Sequence, residues 1–117
     1  MGATNYTTVA KGKNAKEAFE SAVANAQWQH GHGGYTGTIA EKHSFVEFQR
    51  PKGVRLTTVK QVVYGMTWGD KEITKLEKKY PKFPVRQIAQ VWDDKWGPSA
   101  CIELKPKTYI FFGMASC

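Results

Sequence analysis

A chain of 117 residues, 41% hydrophobic and 23% charged, has the make-up of one globular domain and excludes a disordered or fibrous polymer. Lys and Arg number 17 against 10 Asp and Glu, a formal net charge of +7, and there are two cysteines, Cys101 and Cys117. Two thiols exclude a disulfide framework, no apolar run is long enough to span a membrane, and the expectation is a soluble, reduced, cytoplasmic protein without cofactor or metal.

"NYTTVAKG" combines β-branched and aromatic residues with a Lys-Gly turn, which predicts a strand over residues 5–10. In the following "NAKEAFESAVANAQWQHG", Ala15, Ala18, Phe19, Ala22, Val23 and Ala26 form one helical stripe. Asn14 is placed as its N-cap with Glu17 at N3, and Gly31 stands where a helix ending near His30 needs a left-handed residue. Most of the stripe is alanine, so this helix can lie close to a sheet.

The next stretch, "HGHGGYTGTIAEKH" (30–43), holds four glycines and three histidines. A phosphate cradle places its glycines ahead of a helix, where free amides and the positive dipole end face the anion. Here the glycines follow the helix, at its carbonyl end, and neither a GxGxxG nor a GKS/T pattern is present. A metal reading through His30, His32 and His43 lacks a supporting CxxC or HExxH. A run of turns is the simplest reading, with a contact loop as the alternative, in which Tyr35 stacks, Lys42 meets an anion and His43 titrates near neutrality.

"TGTIAEK" and "SFVEFQR" read as extended, ended by Pro51 and Gly53. Residues 55–64 carry both a helical stripe (Leu56, Val59, Val62, Val63) and strand-favouring β-branching, and the stripe predicts a short helix with a bend at Gly65. "DKEITKLEKKYPKFP" predicts a helix capped by Asp70, buried along Ile73, Leu76 and Tyr80, and stopped by Pro81. Three strands are then expected at 85–92, 99–104 and 108–115, joined by connections short enough for antiparallel neighbours. The sum is a single α+β domain over 1–117: an antiparallel sheet of about five strands with two or three helices packed on one face.

Charge is uneven along the chain. Residues 1–50 carry five basic against four acidic residues, and residues 51–117 carry twelve against six. Lys71, Lys75, Lys78 and Lys79 line the second helix, Lys82 and Arg86 lie just beyond, and 71, 75, 78 and 82 share one side if the helix extends that far. Trp28, Trp68, Trp92 and Trp96 fall at element ends, where an indole is often half exposed and free to anchor an interface or stack on a base; Trp68, before a helix cap, and Trp96, in a tight turn, are the candidates for partner contact. An acidic partner follows: nucleic acid, a nucleotide, or an acidic protein surface.

Two other classes compete with binding. "EKHSFVE" places Glu41, His43 and Glu47 at even offsets, so a strand there would put a carboxylate–imidazole pair on one face, as a small hydrolase or nuclease requires. A structural subunit would bury its tryptophans on homo-oligomerisation. The segment "GYTGTIAEK" after an alanine-rich helix, together with the late "YIFFGMASC", resembles small uncharacterised accessory proteins of bacteriophage genomes. That resemblance implies a protein made in a bacterial cytoplasm that acts by occupying a host or defence component.

Overall fold

The computed structural model describes residues 3–30, 36–50 and 52–116, with the side chain of His30 excepted. Residues 31–35, which include Gly31, the expected end of the first helix, as well as His32 and Tyr35, therefore lie outside the described residues. Strand β1 (Ala3–Lys11) leads to helix α1 (Ala15–His30), then a 3-10 turn (Ile39–Glu41) and strand β2 (Phe45–Phe48). Helices α2 (Leu56–Gly65), α3 (Asp70–Lys79) and α4 (Val85–Trp92) follow, with a 3-10 turn (Met66–Trp68) between the first two, and strands β3 (Ser99–Lys105) and β4 (Thr108–Ser116) close the chain.

The sheet order is β1-β4-β3-β2. β4 runs antiparallel to both neighbours, whereas β2 is parallel to β3. A parallel pair needs a crossover, and α2, α3 and α4 together supply it. The expected all-antiparallel sheet of about five strands is thus corrected to a mixed sheet of four among the described residues. The missing strand is residues 85–92, which are helical because Val85, Ile88 and Ala89 recur on one buried side. "TGTIAEK" also gives no strand; its centre is the 3-10 turn capped by Thr38, whose hydroxyl accepts from Ala40 N.

The helices do not share one face. Tyr109, Phe111 and Ala115 of β4, with Cys101 of β3 and Tyr6 of β1, pack against Ala15, Ala18, Phe19, Ala22 and Ala26 of α1. Ile110 and Phe112 of β4, with Ala100, Ile102 and Leu104 of β3, pack against Val59, Val62, Val63, Ile73, Leu76, Val85 and Ile88 of the three later helices. The result is a helix–sheet–helix sandwich. Its central strands are buried on both sides, which is why "TYIFF" is an almost unbroken apolar run instead of an alternating one.

Local chemistry accounts for the joins. Asn14 caps α1 as expected, its Oδ1 accepting from Glu17 N at 2.9 Å. The alanine stripe lets α1 come close to the end of β1: a Cβ at Gly12 would stand 2.5 Å from Ala18 N. Phe19, Phe45 and Phe111 form an aromatic cluster under α1, with ring centroids 5.1, 5.6 and 5.9 Å apart. At α3 the N-cap is Gly69, not Asp70. Its φ of 93° reverses the chain, and Asp70 becomes a first-turn acid that complements the helix dipole.

Candidate functional site

The α2–α3 join makes the most site-like surface. α2 ends at Gly65, which is buried because Leu76 of α3 packs directly on it; a Cβ there would meet Leu76 Cδ1 at 2.4 Å. This close crossing leaves a groove of about 430 Å³ between the helices, lined by Gln61, Tyr64, Gly65, Trp68, Glu72, Lys75, Leu76 and Lys79. Trp68 is 77% exposed and Tyr64 54% exposed, so both rings offer faces to solvent. Thr67 steadies the turn that carries Trp68, its hydroxyl donating to Tyr64 O at 2.7 Å. Tyr80 Oη donates to Gln61 Oε1 at 2.8 Å and ties α2 to the residue after α3, while Lys79 Nζ lies 5.4 Å from the Tyr80 ring centroid.

Two aromatic faces and two ammonium groups thus meet over an apolar floor, diluted by one carboxylate, Glu72. Of the residues singled out from sequence, the groove collects Trp68, Lys75 and Lys79. It leaves Lys71 and Lys78 exposed outside its lining. Lys82 does not extend the row, because α3 stops at Lys79 and the chain turns through Tyr80–Phe83, where Phe83 N donates to Tyr80 O. Tyr64 and Gln61 were missed; their signal was the 55–64 helical stripe, which turns both away from the buried Val62 and Val63.

Arg86 turns along the surface toward α3 instead. It pairs with Asp70 at 2.9 Å and Glu77 at 3.4 Å, linking α4 to α3. It lines a different cavity, of about 460 Å³, whose rim also holds Asp70, Asp93 and Asp94, an acidic setting unsuited to an anion. Trp96 is 65% exposed on the turn before β3, with Lys95 Nζ 5.2 Å from its ring centroid and its own amide donating to Asp94 Oδ1.

Lys42 is a correction. It is 3% exposed, and its Nζ donates to the carbonyls of Asp94, Lys95 and Gly97 at 3.0, 3.3 and 3.0 Å. An ammonium has three protons, and these three carbonyls engage them. Lys42 therefore fastens the 94–97 turn and offers nothing to an outside anion; burial lowers its pKa, with Asp94 opposing.

The strand face required for a Glu41–His43 pair is not formed either. Glu41 closes the 3-10 turn, where its Oε2 accepts from Thr36 N at 3.2 Å and Thr36 Oγ1 at 2.8 Å. His43 is exposed ahead of β2 and shares a depression of about 340 Å³ with Lys16, Phe19 and Glu20 of α1. Among the described residues no group of three His, Cys, Asp or Glu is placed to hold a metal ion, and no helix is long and apolar enough to cross a membrane. No protein-family model, curated protein or solved structure matches this chain.

Proposed function

We propose that this protein is a binding module for nucleic acid or nucleotides, and that the groove between α2 and α3 is where it holds them. A base stacks on Trp68 and Tyr64, and the attached phosphates meet Lys75 and Lys79. The supporting observation is the convergence of these four side chains on one groove with an apolar floor. Stacking contributes about 1–3 kcal/mol per base without regard to sequence, and the lysines add a salt-dependent attraction. The net charge of +7 extends that attraction beyond the groove. Occupying a nucleic-acid component of a host or defence system is how such a module would serve in the phage setting that the resemblance of "GYTGTIAEK" implies.

The test is anisotropy of a labelled single-stranded oligonucleotide, titrated across salt from about 50 to 200 mM. Affinity should fall with salt, and Lys75→Glu with Lys79→Glu should make the log–log slope shallower by about 1.4, two phosphate contacts at about 0.7 each. Trp68→Ala should weaken binding by about tenfold, from the lost stacking. Binding indifferent to salt, or unchanged by Trp68→Ala, would defeat the proposal.

A further inference from the structure

The outer edge of β1 is the other surface that invites a partner. Gly12 N donates to Lys107 O at 3.1 Å, one rung beyond the pairing of Lys11 with Thr108. Hydrogen-bonded and non-bonded pairs alternate along an antiparallel ladder. Tyr6, Thr8 and Ala10, which share Gly12's parity, therefore turn their backbone N–H and C=O toward β4, and Asn5, Thr7 and Val9 turn theirs outward. Among the described residues, β1 pairs with β4 alone. Its register runs unbroken from Ala3 opposite Ser116 to Lys11 opposite Thr108, with no bulge.

Proteins usually blunt such an edge with lysine, proline, a bulge or a short strand. β1 has nine residues, no proline and no charge before its last position, Lys11. Val9, 54% exposed, lies on the face that α1 does not cover. We infer that this edge pairs with the β1 edge of a second copy, antiparallel about a two-fold axis at Thr7, to join two sheets of four strands into one.

The charge pattern selects this partner and direction. Antiparallel pairing centred on Thr7 sets Lys11 of each copy against Ala3 of the other, so the two ammonium groups sit about 27 Å apart along the strands, well beyond the screening length. Parallel pairing would stack them. Thr7 meets Thr7, a favourable cross-strand pair, and Val9 lies against Asn5. Head-to-tail growth is disfavoured because the opposite edge, β2, has only four residues and carries Glu47. The assembly therefore closes at two copies. Affinity comes chiefly from main-chain hydrogen bonds, as in other strand additions.

Sedimentation and light scattering from micromolar to millimolar protein should show the mass rise from 13.1 kDa toward twice that value. Over the same range the amides of Asn5, Thr7 and Val9 should become protected from hydrogen exchange. Thr7→Pro removes an outward N–H while sparing the ladder to β4, and should hold the protein monomeric with an unchanged circular dichroism spectrum. If that variant fails to fold, Thr7→Lys with Val9→Lys places like charges at the seam and should give the same monomer. A monomer at every concentration overturns the inference, as does a dimer in which those three amides still exchange freely.

Discussion

Gly113 shows how little room the central strand leaves. It faces Tyr6 across the β1–β4 ladder, and a Cβ at Gly113 would stand 3.0 Å from Tyr6 Oη. That hydroxyl is buried with no partner in hydrogen-bonding geometry among the described residues, and burial pushes its pKa up; the nearby Ser99 hydroxyl offsets this only in part. Gly113→Ala should therefore cost about 1–3 kcal/mol by overpacking. Tyr6→Phe alone should be neutral or stabilising by up to about 1 kcal/mol, since it removes an unpaired buried hydroxyl. The double variant should recover most of the loss, because the obstructing oxygen has gone. Urea unfolding of the four proteins checks this, and strictly additive losses would show that the contact is not the cause. Lys42 teaches a related lesson: in sequence a lysine beside a glycine loop looks available to a ligand, and only the folded chain shows the three carbonyls that claim it.

At the scale of elements, what was legible followed local periodicity and capping. The strand at 5–10, the helix from Asn14, the helices near 55–64 and 70–80 and the two final strands all appear, their ends shifted by a few residues. Asn14→Ala should cost about 1 kcal/mol through loss of the bond to Glu17 N, while Asn14→Ser should retain most of it; thermal melts distinguish the two. α4 was misread because Val85, Ile88 and Val91 favour strands by type, while their companions Ala89 and Trp92 complete a helical stripe of equal strength. The sharing of helices between two faces was not legible at all. It depends on β2 lying parallel to β3 across a crossover of three helices, a pairing between distant residues that no local pattern encodes. The groove was half legible: the indole of Trp68 and the lysines stood out by type, but that Tyr64 joins them depends on the angle at which α2 meets α3 at Gly65.

For the molecule as a whole, buried titratable groups set the response to alkali. Cys101 is fully buried, and burial first, then Glu47 and Glu103, raises its pKa above the ordinary 9.0. The unfolded thiol ionises near that value while the folded one stays neutral, so this contribution is intact below pH 9 and lost as pH rises above it. Tyr6 and Tyr109, both raised chiefly by burial, act in the same sense above their ordinary 10.0. Lys42 acts oppositely, since its folded pKa is lowered from 10.5 and the unfolded lysine keeps its proton longer. With three acids against one base, whose opposing effect ends near its ordinary 10.5, stability should decline as pH climbs through the alkaline range, Cys101 and Tyr6 each approaching a slope of about 1.4 kcal/mol per pH unit. Cys101→Ala, though less stable throughout, should flatten the decline between pH 9 and 10 in urea titrations; an unchanged slope would assign the alkaline limb to other groups.

The position of β4 bears on how the molecule is made. It is last in chain order yet sits between β1 and β3, and the ladder that joins Val9 to Ile110 spans nearly the whole chain. While the polypeptide leaves the ribosome, β1 and α1 must wait without their sheet partner until β4 emerges. The sheet therefore closes only once β4 is available, and a nascent chain stalled before residue 108 would hold helices but no strand for β1 to pair with.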